Sequence, residues 1–142
     1  VYRFGTPYQD MYSDLSNQDT SLYTRNGILA LLDRNKNIKP APERFQDNHL
    51  VFNVLITCEQ RCFDAVCEEL MRRGGINNKP VHVINVEIKD SIEEASKGAQ
   101  IILSVANELR SAEQMLEERI WDILEEARVK HGDIFLYHVS YY

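Results

Sequence analysis

Four features of this sequence could carry chemistry: a carboxylate closing a strand-like run, a cysteine and arginine six positions apart, a close pair of cysteines, and scattered histidines. The carboxylate is Asp90. Val81 to Asp90 reads Val-His-Val-Ile-Asn-Val-Glu-Ile-Lys-Asp, and Ser91-Ile92-Glu93-Glu94 follows it. The apolar, β-branched first half predicts a buried strand, and the acidic end falls where that strand hands over to a helix. In an open parallel sheet the carboxyl ends of the strands line the crevice where ligands bind, so a carboxylate at that corner faces the site. Two roles fit such a residue. It could cap the helix, since aspartate is a favoured N-cap and either Asp90 or Ser91 could precede Ile92. It could also act as a general acid, protonating a departing oxygen while a thiolate attacks phosphorus.

The remaining candidates carry less. Cys67-Glu68-Glu69-Leu70-Met71-Arg72-Arg73 matches the Cys, five residues, Arg spacing of phosphate-cradling loops. Such loops hold the anion on free backbone N–H groups at a helix N-terminus. This run instead lies inside a helical pattern, has no glycine or serine to open a loop, and places two carboxylates where a dianion would sit, so it is rejected. Cys58 and Cys62 stand one helical turn apart, a spacing that could suit a metal. No third or fourth ligand stands nearby and zinc usually takes four, so buried or half-buried thiols are expected. His82 alternates with Val81 and Val83 and reads as a satisfied core or face histidine rather than a base, while His49, His131 and His138 form no constellation.

The elements that must position Asp90 follow from periodicity. Thr6 as N-cap and Pro7 at the first helical position predict a short amphipathic helix with Tyr8, Met11, Tyr12 and Leu15 on one face. Asn26 to Asn35 predicts a second helix, ended before Lys39-Pro40-Ala41-Pro42. Val51 to Thr57 is a near-continuous apolar run, as for a parallel strand covered on both faces. A helix from about Phe63 to Arg73 stops at Gly74-Gly75. Ile92, Ala95, Ala99, Ile102, Val105, Ala106 and Leu109 repeat at helical spacing after a Ser91/Glu94 capping box, and Ser111/Gln114 forms a second possible box. The segment to Lys130 is therefore expected as two helices. Asp133 to Val139 predicts a last strand or extended tail. Strand, helix, strand, helix, strand is the pattern of a three-layer α/β fold.

Composition sets outer bounds. A chain of 142 residues with 44% hydrophobic residues can build one domain with a real core. The formal net charge is -6, and no Lys/Arg run is dense enough to follow a phosphate backbone, which argues against direct nucleic-acid binding. The apolar runs are strand-sized, far short of the roughly 20 residues that span a bilayer, so no membrane association is expected. Three cysteines fit a reducing compartment better than a disulfide framework.

Taken together, these stretches resemble the small RNA polymerase II C-terminal-domain phosphatases, cysteine phosphatases of the cleavage and polyadenylation machinery related to low-molecular-weight tyrosine phosphatases. The matching runs include Phe4-Gly5-Thr6-Pro7-Tyr8, Tyr23-Thr24-Arg25-Asn26-Gly27-Ile28-Leu29, Leu32-Asp33-Arg34-Asn35-Lys36, Pro42-Glu43-Arg44-Phe45-Gln46, Cys62 to Glu68, Val81 to Val86 and the terminal Tyr141-Tyr142. They occur in order and cover nearly the whole chain.

The resemblance implies a low-molecular-weight-phosphatase-like parallel sheet, here without its first strand-loop-helix-strand unit. It implies hydrolysis of phosphoserine-proline in the polymerase heptad repeats through a cysteinyl-phosphate intermediate, with no metal and no cofactor. Asp90 matches the family's general acid. Glu87 stands where aspartate is expected, as an auxiliary residue. Tyr23 to Leu32 matches a helical wall of the substrate groove, which makes Tyr23, Asn26 and Leu31 candidate substrate contacts. It also implies a nuclear protein and a symplekin-type helical-repeat scaffold as partner. The family's nucleophilic cysteine and phosphate-binding arginine follow its first strand, a unit expected ahead of Val1, so the 142 residues alone are expected to be inactive. A non-catalytic scaffold subunit and a low-molecular-weight tyrosine phosphatase are the competing readings.

Overall fold

The computed structural model describes all 142 residues. The chain divides into two compact units, Val1–His49 and Leu50–Tyr142.

The first unit is a helical hairpin of α1 (Tyr8–Arg25) and α2 (Ile28–Lys36). Helix α1 is longer than the short helix expected because Asp19, at φ -163 and ψ 92, interrupts it without ending it. The carboxylate of Asp19 accepts the Leu22 N–H at 2.9 Å, so a run of poor helix formers acts as an internal N-cap that restarts the helix. Thr6 does not cap α1. Pro7 occupies the cap position without a side-chain bond, and the Tyr8 N–H goes to the Pro40 carbonyl at 2.9 Å. Gly27, at φ +81, turns the chain into α2. Met11, Leu29 and Leu32 are buried. Lys36 fastens the hairpin, donating to Gln9 at 3.1 Å and pairing with Asp33 at 2.6 Å.

In the second unit β1 (Val54–Thr57), β2 (Pro80–Val86) and β3 (Phe135–Tyr141) form a sheet in the order β1-β2-β3. Helix α3 (Gln60–Arg73) joins β1 to β2, and α4 (Ile92–Ser111) and α5 (Leu116–His131) join β2 to β3. The central strand is buried from Val81 to Val86. Its alternation gives Ile84 and Val86 to a core with Val105, Leu109, Ile120, Ile123 and Leu124 of α4 and α5. Val81 and Val83 belong to the other face, and α3 packs on the sheet with Leu70 buried. The result is the three-layer α/β arrangement.

Three expectations are corrected. The sheet is parallel only between β1 and β2, while β3 runs antiparallel to β2 with Val86 opposite Phe135. One connecting helix returns a chain to the starting end of a sheet, whereas the pair α4 and α5 brings it back to the carboxyl end, from which β3 can only descend. Strand β1 begins at Val54 rather than Val51, and its residues are half-buried because it lies at the sheet's edge. The two helices after β2 are separated as expected, but not by a second capping box. Ser111 donates its hydroxyl back to the Asn107 carbonyl, and a 3-10 turn over Glu113–Met115 makes the break. No helix is long and apolar enough to cross a membrane.

His82 is satisfied, as its place in the strand required. Its Nδ1 lies 2.7 Å from the Tyr137 hydroxyl of β3 and its Nε2 lies 2.9 Å from Glu117 of α5. The ring thus links β2 to β3 and to α5 from a position almost free of solvent. His82→Ala is expected to lower stability by about 2–4 kcal/mol, through the cavity and the stranded Tyr137 hydroxyl. Glu117→Gln, at the exposed end of the same chain, is expected to cost less than about 1 kcal/mol. Urea unfolding of the two variants measures the difference.

Candidate functional site

The carboxyl ends of β1 and β2 open onto a cleft of about 620 Å³, bounded by Cys58, Cys62 and the segment Glu87 to Ser91. A hollow of about 660 Å³ at the α4–α5 junction is slightly larger. It gathers no residue singled out for chemistry, whereas the cleft is the crevice position of an open α/β sheet.

The segment between β2 and α4 is pinned almost residue by residue. Glu87 donates its N–H to the Ile134 carbonyl at 2.8 Å, and Ile88 donates its N–H to the Cys58 carbonyl at 3.1 Å. The Ile88 side chain lies against bare backbone at Gly98, where an added β-carbon would stand 2.6 Å from Ile88 Cγ1. Ser91 accepts the Glu94 N–H at 3.2 Å and so caps α4. The side chains of Lys89 and Asp90, both exposed, take part in no hydrogen bond or ion pair. Of the two roles open to Asp90, capping belongs to Ser91.

Glu87 is engaged. Its Oε2 accepts the N–H of Gln60, the first residue of α3, at 3.0 Å and the Asn85 side-chain amide at 2.9 Å. Asn85, fully buried on β2, is itself held by the Thr57 hydroxyl, which donates to its Oδ1 at 2.8 Å. A carboxylate from β2 therefore occupies the N-terminus of α3, where Glu59 makes no side-chain cap. Glu59 instead pairs with Arg61 at 2.5 Å.

The thiols differ from expectation: Cys58 and Cys62 are exposed and only Cys67 is half-buried. Partial burial, with Cys62 and Glu87 nearby, pushes the Cys58 thiol above its ordinary value, and burial next to Asp64 does the same to Cys67. Both are thereby held away from the thiolate form. Cys67 to Arg73 lies wholly within α3, where Arg72 and Arg73 bind Glu69 at 2.8 and 2.9 Å. That run forms no anion loop.

Tyr23, Asn26 and Leu31 share the α1–α2 hairpin. Tyr23 is half-buried near the end of α1, and Leu31 is 47% exposed on α2. Asn26 is partly committed to the turn, its Oδ1 accepting the Ile28 N–H at 3.1 Å. The structure thus brings three of the candidates into one hairpin and the other two, Asp90 and Glu87, into one cleft. Thr57 and Asn85 escaped the sequence reading. The signal was there in Asn85, a polar residue inside a buried β-branched run, which must find partners.

Comparison with known proteins agrees over the full length. Residues 1–142 match the model of the Ssu72-like protein family. The chain belongs to the Ssu72-like family. It is 47% identical over 143 residues to the RNA polymerase II C-terminal domain phosphatase ssu72 of Schizosaccharomyces pombe, covering all of this chain and 73% of that protein. The Homo sapiens relative of the same name is 46% identical over 142 residues, again with 73% covered. Among solved structures, Drosophila melanogaster Ssu72 with Symplekin and a cis peptidomimetic CTD phosphoserine peptide superposes with a TM-score of 0.94 at 37% identity. That match covers all of this chain and 74% of the fly protein.

The two neighbours Asp90 and Ser91 separate by a stability measurement. Ser91→Ala is expected to cost about 1 kcal/mol through loss of the α4 cap, and Asp90→Ala less than about 0.5 kcal/mol. The ranking is read from urea midpoints, and the reverse order would return the capping role to Asp90.

Proposed function

We propose that this Ssu72-like chain is part of a protein serine phosphatase that acts on phosphoserine-proline in the heptad repeats of the RNA polymerase II tail. The reading places it in the nucleus, in mRNA 3′-end processing and transcription termination. It needs no metal or cofactor, and its partner is a symplekin-type scaffold. The names of its relatives and the phosphoserine peptide seated on the fly protein support the substrate class. The observation that carries the chemistry is Asp90, an exposed carboxylate without a hydrogen-bond or ion-pair partner, presented at the carboxyl end of β2 by a pinned loop.

In this reaction a cysteine thiolate attacks phosphorus, the P–O bond to the serine oxygen breaks, and the Asp90 carboxyl gives that oxygen its proton. The Asp90 carboxylate then takes a proton from the water that attacks the cysteinyl phosphate, releasing phosphate and restoring the thiolate. Cys58 and Cys67 are poor nucleophiles where they stand, Cys62 lies within α3 rather than on an anion loop, and the N-terminus of α3 already holds Glu87. The nucleophile and the phosphate-binding arginine are therefore assigned to residues outside these 142. Tyr23, Asn26 and Leu31 are assigned as substrate contacts on the α1–α2 hairpin, with Leu31 offering apolar surface to the substrate proline. Glu87 serves as an auxiliary residue that fixes the loop rather than as an acid.

That none of the three cysteines stands in an anion loop favours one second reading, a non-catalytic scaffold subunit. Asp90→Asn in the full-length protein decides between them. Turnover of a phosphoserine-proline heptad peptide is expected to fall about 100-fold or more, while chelators leave the wild-type rate unchanged. Unchanged turnover in Asp90→Asn would sink the acid, and a wild-type protein inactive on every phosphate ester would favour the scaffold.

A further inference from the structure

The side chain of Asp90 has no hydrogen-bond or ion-pair partner, so its position depends on what holds the residues beside it. Those contacts lead away from the cleft. Glu87, three residues earlier, is fixed by the Gln60 N–H and the Asn85 amide, which both donate to one oxygen, Oε2. An amide can present either its oxygen or its nitrogen. At Asn85 the choice is made by Thr57, whose hydroxyl donates at 2.8 Å to Oδ1 and so turns the NH2 toward Glu87. Thr57 and Asn85 are cross-strand partners in the parallel register of β1 and β2, so the pair locks the carboxyl ends of the two strands to each other.

We infer that Thr57 and Asn85 are positioning residues for the acid, acting through Glu87. With the amide turned correctly, Glu87 is an acceptor for two N–H groups and ties the start of the β2–α4 loop to α3. Without the Thr57 hydroxyl only Glu87 itself orients the amide, and each time the amide turns, its oxygen meets the Glu87 carboxylate and two acceptors face each other. Glu87 then leaves the α3 N-terminus and the loop carrying Asp90 loses its anchor. This inference rests on the reading of Asp90 as the proton donor.

Leaving-group chemistry provides a test that a general loss of structure would not mimic. A serine alkoxide needs a proton as it departs, whereas an activated aryl phosphate such as p-nitrophenyl phosphate releases a stable phenolate and depends little on an acid. In the full-length protein, Thr57→Val, which keeps shape and removes the hydroxyl, is expected to lower kcat on a phosphoserine-proline peptide about tenfold and on the aryl phosphate about twofold, with KM for the peptide unchanged. Thr57→Ser is expected to restore the peptide rate, and Asn85→Ser to repeat the selective loss. Asp90→Asn, run on the same two substrates, separates the two claims. Selective loss in Asp90→Asn with equal losses on both substrates in Thr57→Val overturns the positioning role alone. Equal losses in Asp90→Asn overturn the acid and the positioning role together.

Discussion

One carboxylate, Glu87, sets the geometry of the cleft. Helix α3 starts with N–H groups that its own cap residue leaves unserved, and the chain supplies their acceptor from the neighbouring strand rather than from the residue before the helix. The arrangement makes one interaction do two things. It satisfies a helix terminus and ties the end of β2 to the start of α3, so the two lips of the crevice cannot separate without exposing a backbone donor. A helix N-terminus facing a cleft is usually an open invitation to an anion. Here the anion is already in place, and it belongs to the protein.

That occupancy sorts the charges around the cleft. Arg61 is matched by Glu59, and Glu87 is matched by backbone and amide donors. Asp90 remains as the cleft carboxylate with no partner, beside Lys89, which is equally unengaged. A carboxylate required to exchange a proton with substrate gains nothing from a permanent partner, since each hydrogen bond to its ionised form would oppose protonation. A chain of net charge -6 also repels a phosphate ester. On the proposed reading, the cations that hold the scissile phosphate would have to be concentrated close to it.

Much of this was legible in the order of the residues. The end of α3 at Gly74, the Ser91 cap of α4, the helix break after Ser111 and the burial of His82 all follow from local signals, and local signals act through neighbouring residues in sequence. What escaped detection depended on the path of the chain in space. The antiparallel direction of β3 follows from two crossover helices rather than one, and no strand pattern encodes it. The internal cap at Asp19 was hidden because aspartate and threonine usually read as an end to a helix, and here the helix resumes. The place of Asp90 in the cleft could be read from its position at a strand end, but the Thr57–Asn85–Glu87 chain joins residues 28 and 2 positions apart, and only the pairing of β1 with β2 brings its ends together.

The contrast between Asp90 and its neighbours has a thermodynamic basis. A proton donor must stand in one place before substrate arrives if its orientation is not to be fixed at the expense of the reaction barrier. An exposed aspartate has little packing of its own to provide this, so the order has to be imposed through the backbone. The chain does so at three points: Glu87 on α3, Ile88 in the notch left by Gly98, and Ser91 on α4. Between the second and third anchors only Lys89 and Asp90 remain, too short a span to wander, and both can keep their side chains free. Gly98 belongs to this device although it lies on a helix well outside the loop, because any side chain there would displace Ile88. The freedom of the Asp90 side chain and the rigidity of its surroundings are thus one arrangement: the residues around Asp90 are bound so that Asp90 need not be.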